Sequence, residues 1–493
     1  FRLASDVEKL PFPLAPVGAQ GVTALADASG GRDTWRWRVF SFGGMLGMVW
    51  AVPYFALPAV SAALLGQPIS IFPLPFYDAT GHTETFLKAF PFIVSFDLGL
   101  MISGMVLPFW AVVGSMVGLI VTMLGNPVLH ETGILAGWSP GLGAVRTINS
   151  NRLDFYFSFG IGLLAAIAVI GFWQVGKSLL AVRGSSAMDW SALRKAPAGR
   201  GDFSLWVAMA IYVLTTLVTI GAACLLLWHA HRSGLGSPLT PVLIGVLFFY
   251  GFVYTPIISY VTARMEGLIG QTVQIPFVRE ATFILSGYQG AAIWFAPFPL
   301  HNYGAQSLLF RKTELTGTSF RSLIKAELFV LPIAIVSLVL FSHFIWQIAP
   351  VPGPTFPAAD KLWELHAFNQ ALIMSSTLQG GQSGPFAEAF SVNYVLIGMG
   401  IALALFALLS SFGLPILLVY GVIRGLDQSL PDVILPQFIG ALIARYYLRK
   451  RFGEKWLPGI VVFFAGYQAG FGLITMFAMG IVFMSKAVVQ SAY

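Results

Sequence analysis

The sequence predicts an all-α protein that crosses a membrane many times. Three observations carry that prediction. The 493 residues are 57% hydrophobic and only 10% charged, whereas a soluble domain carries about 25% charged residues. Mean hydropathy is +0.78. The apolar residues fall in runs long enough to cross the roughly 30 Å hydrocarbon layer of a bilayer, with most charges between the runs. The single cysteine, Cys224, excludes a disulfide framework and a cysteine-based metal site. The net charge of +7 is spread over loops. It reads as the positive-inside bias of a membrane protein, with no nucleic-acid partner. The chain opens on Phe1 with no signal-peptide pattern, so residues 1–493 are expected to be one transmembrane, transporter-like domain that is N-terminally incomplete.

Along the chain, apolar segments occupy 39–65, 91–124, 153–174, 204–228, 239–262, 281–300, 326–348, 392–423, 431–447 and 456–485. They predict about ten or more transmembrane or half helices. Pro53 and Pro58 interrupt the first, Pro108 the second, and Gly413 with Pro415 the eighth; Pro297 and Pro299 end the sixth. Backbone groups freed inside a bilayer must face protein or a water-filled cavity. Repeated interruption therefore predicts an interior path, although any single proline can be an ordinary kink.

Loop charge sets the sidedness. The stretch 175–203 carries Lys177, Arg183, Arg194, Lys195 and Arg200; 301–325 carries Arg311, Lys312, Arg321 and Lys325. The stretch 445–455 carries Arg445, Arg449, Lys450, Arg451 and Lys455. These read as cytoplasmic. Loops 66–90 and 349–391 carry only Lys88 and Lys361 and read as external. An odd number of apolar segments between successive cytoplasmic loops breaks this assignment, so 281–300 and 431–447 are predicted to be re-entrant or half-helices. Within 349–391, the stretch 356–377 reads as an amphipathic external helix lying on the membrane.

A short echo joins two regions. "SGYQGA" (286–291) and "AGYQAG" (465–470) share Gly-Tyr-Gln, with Ala263-Arg264 and Ala444-Arg445 at similar distances upstream. The spans preceding the two units run in opposite directions in this topology. That pattern predicts an inverted repeat.

"LPFPLAPVGAQGVTALAD" (10–27), followed by "WRWRVFSFGGMLG" (35–47), resembles the oligopeptide transporter (OPT) superfamily, which includes the yellow-stripe-like metal-chelate carriers. In that family such a stretch closes one membrane helix and leads to the next. "FDLGLMISGMVLPFWAVVGSMVG" (96–118) resembles its Gly-rich span, and "SYVTARMEGLIGQ" (259–271) its Arg- and Gly-rich segment. "GLPILLVYGVIRG" (413–425) is a looser match. The likeness is to prokaryotic OPT-like proteins. It implies a multi-pass secondary transporter of a prokaryotic cytoplasmic membrane, coupled to protons, moving small peptides, peptide-like compounds or metal chelates. The Asn-Pro-Gly and Lys-Glu-His signature of the eukaryotic peptide carriers is absent, so substrate identity does not carry across.

Candidate binding or coupling residues follow from polar groups set in apolar surroundings. Asp97 stands inside a long apolar run, where a charge is costly and a proton site is favoured; its other reading is a cap on the first turn. Arg264 could hold a substrate carboxylate through its bidentate fork, or snorkel to the interface. "SGYQGAAIWFAPFPLHNYG" (286–304) offers Tyr288, Gln289, Trp294, His301 and Asn302 on a broken segment. It reads as a midplane ligand site or as an aromatic belt. The echo adds Tyr467 and Gln468. Gly43-x-x-x-Gly47 and Gly114-x-x-x-Gly118 read as helix-packing faces. No nucleophile elbow, Walker loop or paired-His zinc spacing is present. The expectation is no enzyme, no catalytic residue, no metal and no cofactor. Expected partners are membrane lipids, a small-molecule or peptide substrate, and a second copy or a membrane complex. Two other readings stand beside transport. One is an OPT-like scaffold subunit that moves nothing; the other is a membrane enzyme acting on lipid-linked substrates.

Overall fold

The computed structural model describes residues 1–12, 15–16, 19, 23, 26, 35–182, 199–269, 272, 278–348, 350–353, 356–378, 384–426, 431–453 and 456–490. The described residues are 77% helical. Among the described residues the only sheet is a pair of two-residue strands, Tyr77–Asp78 and Ile93–Val94, antiparallel with Tyr77 opposite Val94. In chain order the main helices are α1 (Trp35–Leu65), α2 (Leu98–Val106), α3 (Phe109–Glu131), α4 (Ala144–Gly171), α5 (Leu205–Arg232) and α6 (Pro241–Gly267). Then come α7 (Phe320–Gln347), α8 (Pro357–Ser375), α9 (Val392–Ser411), α10 (Ile416–Leu426), α11 (Pro431–Ile443) and α12 (Trp456–Ser485). Eight of the described helices (α1, α3, α4, α5, α6, α7, α9 and α12) are long and apolar enough to cross a membrane. The all-α polytopic expectation therefore holds, with eight such helices where the apolar segments suggested about ten.

The differences have local causes. Residues 91–124 are not one helix. The chain is extended to Asp97, forms α2, breaks at Leu107 (ψ 150°) before Pro108, and then forms α3. A proline disfavours the α conformation in the residue before it. The 392–423 segment splits into α9 and α10 at Gly413, whose φ of +67° suits only glycine at low cost. Residues 281–300 hold helix only at Val278–Leu285 and Ala292–Phe295. Residues 431–447 lie in one continuous helix, which runs on from α11 through a π turn at Ala444–Leu448 to Phe452. A second π turn, Val52–Ala56, follows from Pro53 in α1 and bends the ladder there. The helix expected in the 349–391 loop is present as α8. Most of the Pro-rich stretch 13–34 and the basic loop 183–198 lie outside the described residues.

The chain divides into two compact units. The first comprises Phe1–Ala19, Ile161–Leu331 and Gln370–Met399. Here α5 starts at a Ser204 cap and α6 at a Thr240 cap with Pro241 in its first turn. A hairpin, 278–305, packs along them. Its tip bonds at Ser237 N–H to the Gln289 carbonyl (2.7 Å), beside the end of α5, and at Gly290 N–H to the Thr377 carbonyl (2.8 Å). Its returning arm follows α6, where Thr255 Oγ1 donates to the Pro299 carbonyl and Tyr303 N–H donates to Ser259 Oγ.

At the opposite end of α5, residues 1–12 lie across α6. Phe12 N–H donates to the Gly267 carbonyl (2.8 Å). Arg200 is buried at the centre of this end. Asp6 accepts from it at 2.6 and 2.8 Å, Asp202 at 2.7 and 3.2 Å, and Glu314 at 3.3 Å. The rings of Phe1 and Phe320 lie 5.3 Å from its guanidinium carbon. Burial opposes the charge of Arg200. The hydrogen bonds and charges of Asp6 and Asp202 outweigh it, so its pKa lies above the usual arginine value.

The second unit comprises Gln20–Gly160, Pro332–Asn369 and Gly400–Tyr493. Three glycine seams build it. Gly43 meets Phe463 and Tyr467, and Gly47 meets Tyr467 and Phe471, so α1 and α12 ascend together and run parallel. Gly466 and Gly470 answer from α12 against Phe40 and Gly44. In the same way Gly114 and Gly118 of α3 meet Gly421 and Gly425 of parallel α10. In the third seam Gly104 of α2 lies on Gln437 of α11, and Gly440 lies on Met101. The Cα–Cβ bond leans towards a helix N-terminus, so this reciprocal pattern also marks level, parallel helices. At each seam a Cβ would overlap the partner's backbone, which is why the sequence carries glycine there.

Arg445 covers the Phe109 ring at 4.5 Å, so the start of α3 and the end of the α11 helix share one end of this unit. That end, which also holds the starts of α1 and α12, collects Arg36, Arg38, Arg445, Arg449, Lys450 and Arg451. The opposite end holds the 66–90 and 132–143 loops. There Lys88 pairs with Glu131 (3.2 Å), Glu84 accepts from Gly141 N–H and Asp78 from Ala144 N–H (both 2.8 Å). Arg146 there faces Glu364 of α8 at 4.0 Å. Residues 66–90 and 445–453 thus lie at opposite ends of this unit.

Candidate functional site

In the second unit the extended residues 90–94 lie along α3 and enclose, with Met116, Leu119, Ile120, Met123 and Leu435, an apolar cavity of about 140 Å³. The extended segment ends at Asp97, which caps α2. Its backbone is extended (φ −69°, ψ 111°) and its Oδ1 accepts the Gly99 N–H at 2.7 Å. Ser95 Oγ accepts the Asp97 N–H at 3.3 Å and donates to the Pro75 carbonyl at 3.4 Å. The capping expectation for Asp97 is therefore met.

The cap has unusual company. Tyr467 of α12 is buried to 1% exposure, and its hydroxyl has no hydrogen-bond partner among the described residues. Its ring presses on Gly99. A Cβ at Gly99 would stand 3.2 Å from Tyr467 Cε1 and 3.0 Å from Asp97 Oδ1. Tyr54, from the π turn of α1, is 6% exposed, lies beside Ser95, and is within electrostatic reach of Asp97 and of Asp432. Asp432 sits on the first turn of α11. Two parallel half-helices thus start level with one another, each with an aspartate at its N-terminal end, and two buried tyrosines approach them. Deeper along the seam, Arg424 Nη1 donates to Gln437 Oε1 (3.1 Å), and Gln437 Nε2 donates to Ser103 Oγ (3.4 Å).

The structure brings together Asp97 and Tyr467, which the sequence named for separate reasons. Gln468, the next residue, is exposed. Tyr54, Ser95 and Asp432 were missed. The available signals were Pro53 beside Tyr54 and the Pro431-Asp432 pair, a helix-start signature.

The candidates of the first unit are engaged in holding the fold. Arg264 is 2% exposed and pairs with Glu8 at 2.8 Å; Tyr260 Oη donates to the same carboxylate. Arg264 is thus buried against Glu8 of the N-terminal segment, not extended to an interface. The 286–304 stretch is a packed hairpin tip and arm, not an exposed broken helix. Trp294 Nε1 donates to Thr377 Oγ1 (2.7 Å). Tyr288 is 5% exposed in an apolar cluster with Phe283, Ile293, Trp294 and Phe298. Asn302 caps a 3₁₀ turn through Gly304 N–H (3.1 Å) and donates to Thr262 Oγ1 (2.9 Å). Gln289 and His301 are exposed; each is held through its backbone N–H, by Ser237 Oγ and Thr255 Oγ1. Tyr288 lies in a turn after Gly287 (φ +68°), whereas Tyr467 is in the middle of a long helix, so the echo does not extend to local structure.

Among the described residues no three His, Cys, Asp or Glu side chains gather as a metal site. No protein-family model and no curated protein matches the sequence.

Proposed function

We propose that the chain is a multi-pass secondary transporter of the OPT type, in a prokaryotic cytoplasmic membrane, that moves small peptides, peptide-like compounds or metal chelates with protons. The observation that supports this most is that Asp97, capping α2, and the buried Tyr467 both close on Gly99 at the start of that helix. A nine-residue helix is about 13 Å long, so Asp97 stands near half the height of a roughly 30 Å hydrocarbon layer. Transporters place substrate and coupling sites at this depth, at the ends of discontinuous helices. A carboxylate there is costly to keep ionised and is relieved by taking a proton from one side and releasing it to the other. Arg424, steadied by Gln437, offers a cation to a substrate carboxylate.

The three level seams also read as two copies of an up–down–up unit, α1–α2–α3 and α10–α11–α12. Their two-fold axis runs along the helices, a parallel repeat in place of the inverted one expected from the sequence. Parallel repeats are one of the two arrangements known in transporters. The α10–α11 pair reads as the re-entrant element of this unit: α10 has 11 residues, and the helix that continues α11 is already level with the start of α3 at Arg445.

The test is uptake into proteoliposomes of small peptides and metal chelates, with and without an imposed pH gradient. Wild type is expected to accumulate substrate with the gradient, and Asp97→Asn to lose gradient dependence while folding normally. Unchanged dependence in the Asn variant removes Asp97 from the mechanism. A second reading, a membrane scaffold that transports nothing, is favoured by the tight glycine seams and by the apolar lining of the 140 Å³ cavity. Absence of uptake of every peptide and chelate by the wild type decides for it.

A further inference from the structure

A cavity of about 440 Å³ in the first unit lies under the N-terminal segment. Its walls are Phe1 and Leu3, Leu205 and Ala208 of α5, Ala263 of α6, Phe310, and Phe320 with Ile324 of α7. Polar residues also line it, but most of their polar groups are engaged by neighbouring residues. Asp202 is held by Arg200 (2.7 Å) and Arg2 stands 3.9 Å from Asp6. Tyr260 donates to Glu8, and Ser259 Oγ accepts the Tyr303 N–H (2.9 Å). The wall therefore offers a polar ligand little and an apolar chain a continuous surface.

The opening is set by α5. Leu205 is 43% exposed, and Ala208 is exposed beside it. Trp206, between them, is 78% exposed; a tryptophan so placed marks the headgroup level of a bilayer. On α7 the residues next to Phe320 and Ile324 are Arg321 and Lys325, both exposed. An apolar cavity thus opens beside two unburied cations at the first turns of two spanning helices.

We infer that this cavity holds one acyl chain of an anionic phospholipid, with its headgroup on Arg321 and Lys325. The site is separate from Asp97 and Tyr467 and does not depend on the transport reading. The chain enters past Leu205 and Ala208, and its methylenes replace contacts the walls otherwise lack. The headgroup charge meets the two cations at the surface, where each contributes about fivefold in affinity.

Native mass spectrometry of the detergent-purified protein tests this, after incubation with phosphatidylglycerol, phosphatidylcholine or palmitate. Wild type is expected to retain one phosphatidylglycerol through delipidating washes, in preference to phosphatidylcholine. Ala208→Trp fills the mouth and is expected to lose that lipid, whereas Ala210→Trp, on the same exposed helix but outside the lining, keeps it. The double variant Arg321→Gln, Lys325→Gln is expected to keep one lipid and lose the preference for phosphatidylglycerol. Equal retention by wild type and Ala208→Trp overturns the cavity as the site. Preference for palmitate over both phospholipids overturns the phospholipid assignment, and an unaltered preference in the double variant overturns the role of the two cations.

Discussion

Gly104 and Gly440 stand level on two parallel half-helices, each turned so that its absent side chain leaves room for the other helix's backbone. Gln437 fills the space beside Gly104 and Met101 the space beside Gly440. A Cβ at either position meets main chain, which cannot swing aside. Gly104→Ala and Gly440→Ala are each expected to cost about 1–3 kcal/mol, read as a lowered Tm of the detergent-solubilised protein. Gly221→Ala in α5, where nothing lies within 4 Å, is expected to leave Tm unchanged or raise it. Equal effects at the seam and at Gly221 would show that the seam is not tightly packed.

Asp97 has two separable roles. As a cap it satisfies the Gly99 N–H, and asparagine caps about as well. Asp97→Asn is expected to keep the wild-type Tm, whereas Asp97→Ala is expected to lose about 1 kcal/mol. A fall in Tm with Asn as large as that with Ala would mean that the charge itself holds the fold.

Tyr467→Phe removes a buried hydroxyl that lacks a partner. Leaving such a group unmade costs about 1–3 kcal/mol, so the Phe variant is expected to be as stable as wild type or more so. Under the transport reading it is nonetheless expected to slow gradient-driven uptake. Higher stability with unchanged uptake would leave Tyr467 a packing residue only.

Arg200→Met removes the cation that three carboxylates share. Breaking one side of a buried ion pair costs about 3–5 kcal/mol, because the remaining charges stay buried. The variant is expected to show that loss in Tm. Adding Asp6→Asn to Arg200→Met is expected to recover part of it, and no recovery would show that Asp6 is not held through Arg200.

Cysteine labelling checks the charge asymmetry of the second unit. With Cys224 replaced by Ala, a reagent that cannot cross the membrane is expected to reach Thr132→Cys from outside and Lys450→Cys only from the cytoplasmic face. Labelling of both from one face would overturn the assignment of opposite ends.

The sequence by itself determined that this protein is helical and membrane-spanning, because hydropathy and run length are local properties that no packing can reverse. It also placed the breaks at Pro108 and Gly413, where covalent geometry dictates the backbone, and it marked Gly43, Gly47, Gly114 and Gly118 as packing positions. It could not say which helices those glycines join, since α1 meets α12 and α3 meets α10 across most of the chain. Tertiary structure decided that Arg264 is answered by Glu8 and that the 286–304 stretch is packed rather than open. It also set Asp97 against Tyr467. A polar residue in an apolar run reads the same whether its partner is a ligand, a lipid or another part of the chain, and only the fold brings that partner within hydrogen-bonding distance or withholds it.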